Sequence, residues 1–333
     1  MKQYLIILLD DTSTSYCHYE NSKTEHSLIT LDDLKAGIFF GMKENLMIQY
    51  VLPAYELPAE FKEVMNTIDH HLIVPAISMD INALDAADVV VFNDWQETIG
   101  YKFVADVMYV LRISKADLFA QKALVKTIVG KVSRLNIVIT DIESFTDDDF
   151  TAYKALLADY AKELEQQYVV GKAPQLNILT DRMMLKEMNN CGAGETNITL
   201  APDGKFYVCP AFYYDGACDG SEVSLGDECR KGYAIGSLKD GLDIKNPQLY
   251  KLDHAPLCRK CDAYQCKRCV WLNRRTTLEV NTPSHEQCVV AHLERNSSRE
   301  LLCSIRKHGT FLPEFDEIKE IDYLDPFDVK DEY

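Results

Sequence analysis

The sequence predicts an α/β protein: a sheet of parallel strands covered by helices over residues 1–182, followed by a small cysteine-rich domain over residues 183–295. Three observations lead there. Apolar strand-like runs alternate with helix-period segments through the first 180 residues, and beyond residue 182 the composition turns to Cys, Gly, Asp and Tyr. Residues 258–269, CRKCDAYQCKRC, then place four cysteines in twelve positions.

Residues 4–9, 47–52, 72–74, 89–92, 107–111, 135–140 and 176–179 read as strands, several of them continuous apolar runs suited to a sheet covered on both faces. Between them lie helices. In PAEFKEVMNTI, Phe61, Val64, Met65 and Ile68 fall at helical spacing after Pro58, which suits a first turn. In TDDDFTAYKALLADYAKELEQQY, acids open the segment, and Phe150, Tyr153, Leu156, Leu157, Tyr160, Leu164 and Tyr168 form one stripe. Alternation of this kind gives a parallel sheet, and periodicity alone leaves a doubly wound sheet and a complete or partial barrel both open. Residues 80–103 read as a short crossover or a strand pair without a helix. Beyond residue 182, TNITLAPDGKFYVC reads as a hairpin turning at Pro202, Asp203 and Gly204. The stretch to Lys251 has few apolar runs, so a metal centre is expected to hold it. Residues 296–333 read as an acidic tail, a solvated segment or an arm for a basic partner.

A chain of 333 residues with 47% hydrophobic content can fill a proper core. Its formal charge of -17 argues against nucleic acid as the main partner, because phosphate binding needs a basic surface. The apolar run YLIILL is too short for a membrane span or a signal-peptide core, so no membrane partner and a cytoplasmic location are expected. Eleven cysteines in a reducing compartment point to metal or cluster binding rather than to disulfides.

Thiolates at C-x2-C spacing reach one metal centre from a tight turn. Here two such pairs, Cys258/Cys261 and Cys266/Cys269, are preceded by Cys191-x12-Gly204-x4-Cys209 and followed, after eighteen intervening residues, by Cys288. Two C-x2-C pairs alone fit structural zinc equally well, with His254, His285 and His292 flanking as candidate ligands, although each also reads as an ordinary surface or helix histidine.

This order of cysteines resembles the SPASM domain, the C-terminal extension of radical-SAM peptide maturases that holds auxiliary [4Fe–4S] clusters. The loop is one residue tighter than the usual family pattern at two places, and AIGSLKDG resembles the segment linking the two halves of that domain. The resemblance covers roughly residues 185–295. It implies that Cys191, Cys209 and Cys269 bind a first cluster, and Cys258, Cys261, Cys266 and Cys288 a second. The first set is one ligand short. Cys218 or Cys229 is a candidate to complete it, unless an iron is left open to a substrate thiol or carboxylate. Arg259, Lys260, Lys267 and Arg268 would offset the negative charge of thiolate-held clusters.

A radical-SAM enzyme needs C-x3-C-x2-C after its first strand, where this chain has DDTSTSYCHYENSKT. Cys17 in the third, first or second position leaves Asp10 and Thr14, Asn21 and Thr24, or Ser13 and Glu20 at the other two, so radical cleavage of S-adenosylmethionine by this chain is not expected. The strand–helix alternation of the N-terminal half is compatible with a partial or degenerate radical-SAM-like β/α barrel. With LIILLDDTSTSYCHYEN at the start and the cysteine block at the end, the chain most resembles the CXXX repeat peptide maturases. Proteins of that family accompany a radical-SAM enzyme and a ribosomally made precursor peptide with repeated cysteines. The resemblance implies two [4Fe–4S] clusters, with peptide binding or electron transfer to the partner enzyme as their use. A zinc-stabilised binding module is the alternative.

Other candidates are simpler. Cys17 with His18 reads as a loop detail, since adjacent side chains point apart. His70 and His71 read as a strand entry with one ring buried. Asp10 and Asp11, with Asp141 and Glu143, stand at strand ends where parallel α/β folds build pockets.

Overall fold

An apolar strand needs cover on both faces, and β1 (Tyr4–Leu8) has it: Leu5, Ile6, Ile7 and Leu8 are all buried. The computed structural model describes residues 2–215, 233–313 and 317–318. After β1 come α1 (Leu31–Lys43), β2 (Met47–Val51), α2 (Ala59–Met65), β3 (His70–Pro75), α3 (Ile81–Asp85) and β4 (Val89–Phe92). The middle of the chain forms β5 (Met108–Ile113), α4 (Lys115–Ala120), α5 (Lys122–Val129), β6 (Arg134–Ile139), α6 (Asp147–Val169), β7 (Gln175–Leu176) and α7 (Asn177–Met184). Then follow β8 (Asn197–Leu200), β9 (Lys205–Tyr207), α8 (Pro210–Tyr214), β10 (Ala234–Ser237), β11 (Gly241–Leu242), α9 (Val270–Thr277) and α10 (His285–Arg306).

The described residues fall into two compact units, one from 1–91 and 192–251, the other from 92–191 and 252–333. In the first unit β1, β2, β3 and β4 pair in parallel and in sequence order. A doubly wound sheet would reverse its order at a switch point, and this run does not. On the other side of β1 lies β8, also parallel, with Tyr4 opposite Asn197. β8 and β9 form the expected hairpin, with Gly204 at a φ of 72° in its turn, and β10 and β11 extend it antiparallel. Helix α1 starts at a Thr30 cap that accepts from the Asp33 amide. It lies close enough to the sheet that a Cβ on Gly37 would collide with Leu200 Cδ2.

In the second unit β5, β6 and β7 are parallel. α6 opens on a capping box between Thr146 and Asp149 and buries the whole predicted stripe from Phe150 to Tyr168. α10 packs on α6 and α7: Tyr153 on α6 donates to Glu294 Oε1 (2.8 Å), and the Ser298 hydroxyl donates to the Leu179 carbonyl (2.6 Å).

Several expectations differ from the structure. Of the strand read over 176–179 only Leu176 lies in the two-residue β7, after which α7 begins, because Asn177 turns its amide side chain onto β6, bonding the Ile137 N–H and carbonyl. Residues 80–103 do contain a helix, α3, capped by Asp80, beside the strand β4. In α2 only Phe61 and Met65 are buried. The boundary at residue 182 does not coincide with the division into units, because the β8–β9 hairpin pairs with β1. The boundary at 295 falls within α10, whose apolar face continues through Leu301, Leu302 and Ile305. Most of the acidic tail lies outside the described residues. No helix among the described residues is long and apolar enough to cross a membrane.

Gly37→Val is expected to lower stability by about 1–3 kcal/mol through overpacking against Leu200, read as a lower denaturant midpoint at unchanged slope.

Candidate metal centre

The loop before α9 is a series of tight turns. The Cys258 amide donates to Ala255 O (3.1 Å), Cys261 to Cys258 O (3.0 Å) and Cys266 to Ala263 O (3.0 Å). Backbone N–H groups also point at sulfur: Ala263 N lies 3.5 Å from Cys261 Sγ, Arg268 N 3.5 Å from Cys266 Sγ, and Leu272 N 3.4 Å from Cys269 Sγ at the start of α9. Donors so placed favour thiolates, the form that binds metal.

Buried charges pin this loop. Asp262 accepts from Arg295 Nη1 (2.8 Å) and its carbonyl from Arg182 Nε (2.5 Å), while the Arg182 guanidinium lies 4.2 Å from the centre of the Tyr264 ring. Gln265 Nε2 donates to the Ala291 carbonyl (2.7 Å) and to Glu294 Oε2 (3.3 Å), tying the loop to α10.

The result is a small, partly open cavity lined by Cys258, Cys261, Cys266 and Cys288. Three polar side chains join them there: Arg268, Gln287 and His292. Arg268 is wholly buried, with Nε 3.1 Å from Asn190 Oδ1. His292 is 2% exposed, with Nε2 3.4 Å from Cys261 Sγ. Gln287 is 5% exposed, and its Oε1 has no hydrogen-bond partner among the described residues. Burial pushes the Cys266 thiol up to about 12, with the nearby Cys258 adding to the shift and the Arg268 amide opposing it.

This donor set fits an anionic group with its own positive metal ions. A bound iron would displace the Cys266 proton that burial otherwise retains, Arg268 would offset net negative charge, and the Gln287 amide, whose O and N are interchangeable by a flip, would turn a donor inward. Among the described residues no group of three or more His, Cys, Asp or Glu is arranged to hold a metal ion, whereas a cluster spans more widely spaced thiols than one ion does.

The four cysteines expected to share a cluster thus line one cavity. Of the other three, Cys191 and Cys269 lie in the same unit, where the Cys191 amide donates to Lys267 O (2.9 Å). Cys209 belongs to the other unit, capping α8. Cys218 and Cys229 lie outside the described residues. The expected charge balance narrows to Arg268, because Arg259, Lys260 and Lys267 are exposed: the turns that aim the sulfurs inward leave these three facing water.

The proposed acid pocket is divided between the units. Asp10, fully buried, accepts from Thr12 N (2.8 Å) and from the Tyr55 hydroxyl (3.0 Å), and Asp11 accepts from the Tyr213 hydroxyl and pairs with Lys23 (3.1 Å). In the second unit Asp141 accepts from Lys115 N (2.8 Å) and Glu143 lies 3.8 Å from Arg275. Cys17 sits in the first unit near the buried Tyr19. His70 bonds the Ile68 carbonyl (2.8 Å), and His71 faces Asp88 (3.1 Å). His254 and His285 are not among the residues lining the cavity.

Sequence reasoning passed over Gln287 and Glu294 and treated His292 as incidental. The signal for them was the Ser284-x-x-Gln287 start of α10, which puts Gln287 with Ala291 and Cys288 with His292 at i, i+4.

Fold and cavity together define an α/β protein with a mostly parallel sheet and a cysteine-lined cavity. Solved structures with this fold include anSMEcpe with bound AdoMet, at a TM-score of 0.59 and 11% identity over 91% of this chain and 96% of that one. They also include anSMEcpe with AdoMet and a Cp18Cys peptide, at 0.59 and 11% over 92% and 100%, and with a Kp18Cys peptide, at 0.59 and 11% over 91% and 99%. No protein-family profile and no curated protein sequence matches the chain.

Burial pushes the Glu294 carboxyl up to about 7, against hydrogen bonds from Tyr153 and Gln265 that pull it down. Between the ordinary value of 4.5 and about 7 the unfolded chain has lost this proton and the folded one has kept it, so stability falls as pH rises through that window. The expected loss is about 3 kcal/mol. Glu294→Gln should flatten it, read from urea midpoints of the metal-free protein at successive pH values.

Proposed function

We propose that this protein is an iron–sulfur component of a peptide-modification system, a degenerate radical-SAM-like β/α barrel with a SPASM-like region holding two [4Fe–4S] clusters. The observation that carries the reading is the single cavity lined by Cys258, Cys261, Cys266 and Cys288, the set that the SPASM resemblance assigns to one cluster. Cys191, Cys209 and Cys269 would serve the other, completed by Cys218 or Cys229 or left with an open iron. A [4Fe–4S] cluster supplies one-electron transfer when bound. The chain's own residues supply thiolates, the amide donors that favour them, and Arg268 as buried counter-charge.

The ligand is a peptide with repeated cysteines; the peptides bound in the similar anSMEcpe structures support the peptide-binding part of this reading. The partner is a radical-SAM enzyme in the cytoplasm, because this chain has one cysteine where the radical cluster needs three. The loop after β1 instead spends Asp10 and Asp11 on hydrogen bonds to tyrosines. Consecutive parallel order in β1–β4 supports the partial barrel.

Anaerobic purification should yield a brown protein with iron and sulfide in equal amounts. Cys258→Ser with Cys261→Ser should remove about half of both. A colourless protein with stoichiometric zinc and no sulfide would establish the zinc-stabilised module instead. The reduced, isolated protein should leave S-adenosylmethionine intact, with chromatographic detection of 5′-deoxyadenosine as the check.

A further inference from the structure

His292 stands apart from the thiols it accompanies. It is carried by α10 rather than by the cysteine loop, it is 2% exposed, and its Nε2 lies 3.4 Å from Cys261 Sγ. One helical turn separates it from Cys288, so a single face of α10 presents both a thiol and an imidazole to the cavity. The Ala263 amide reaches the same Cys261 sulfur from the loop side at 3.5 Å. With a thiol at Cys261, the S–H can donate to Nε2. With a thiolate, which is acceptor only, Nε2 must carry the hydrogen and donate.

We propose that His292 is a positioning residue for the cluster assigned to this cavity: its Nε2–H donates to the Cys261 thiolate and raises the reduction potential. The inference rests on the cluster reading above. Its physical basis is that a donor aimed at a ligand sulfur withdraws electron density and stabilises the reduced, more negative state. A histidine so placed is not itself a metal ligand, and the four cysteines already complete a four-thiolate set.

The experiment is an EPR-monitored redox titration of the full-length, reconstituted protein, with iron and sulfide measured first. If the wild-type chain binds neither, the cluster reading itself fails. If it binds both, His292→Phe should keep iron and sulfide at wild-type levels and shift one of the two potentials negative, the equilibrium constant for reduction falling roughly tenfold, or about 59 mV for a one-electron couple. His292→Gln, which restores a donor, should recover much of the shift. Unchanged potentials in His292→Phe at full iron content would overturn the proposal while leaving the cluster reading intact.

A second measurement needs no variant to fold. Pulsed EPR of the reduced wild-type protein with 15N-labelled histidine should show a weak nitrogen coupling, as expected for a donor held through sulfur. A strong coupling would make His292 a direct ligand, and no coupling would remove it from the site; either outcome sinks the positioning role.

Discussion

Gathering four cysteines, a wholly buried guanidinium and a buried imidazole around one cavity is the constraint that the second unit is built to satisfy. Each of these groups costs free energy out of water unless it is bonded or neutralised. The surroundings answer group by group: Asn190 takes the Arg268 Nε, backbone amides face the sulfurs, and Asp262 fixes the loop between Arg182 and Arg295. Gln265 and Glu294 then lock the loop to α10. This polar network stands where an apolar core would otherwise join the loop to the helices, and the loop has too few large apolar side chains to supply one.

The first unit meets a different demand. A parallel sheet leaves polar loops at its strand ends, and in the loop after β1 side chains add to backbone bonds such as Asp11 N to the Ser27 carbonyl (3.2 Å) and Thr14 N to the Leu52 carbonyl (3.0 Å). Ser13 bridges the Asp10 amide and the Val51 carbonyl, Asn21 donates to the Asp11 and Ser13 carbonyls, and Tyr55 and Tyr213 donate to the two carboxylates. The Tyr19 ring stacks on Tyr214 at 5.5 Å between centres. Carboxylates at strand ends suggested a binding pocket in the sequence. In the fold they are acceptors that order a loop, a role that residue type and position in the chain do not distinguish.

Strand positions, the α6 stripe and the β8–β9 hairpin were legible because each rests on local periodicity or on one turn residue with a positive φ. The helix α10 was not. Its sequence HEQCVVAHLERNSSRELLCSIR buries polar residues, among them Gln287, His292, Glu294, Arg295 and Ser298, so the usual contrast between apolar and polar faces is blurred. His292, Glu294 and Arg295 find partners in the cysteine loop 29 to 33 residues away, while Tyr153 on α6 and Leu179 on α7 bond Glu294 and Ser298 from 141 and 119 residues away. α7 was misread for a related reason, since the side chain that ends β7 is Asn177, bonded to β6 from 40 residues away.

By itself the sequence determined the cysteine inventory, its spacing, and the lack of three thiols after the first strand, because these are matters of composition and order. It also set the parallel α/β character, through apolar runs that must be covered on both faces. Tertiary packing sets which cysteines line one cavity, that Arg268 alone of the four basic residues in the block is buried beside them, and that α10 brings Gln287 and His292 to the same cavity. Convergence of this kind depends on where a loop and a helix pack against each other, and sequence spacing carries no record of that once the partners are more than a few turns apart.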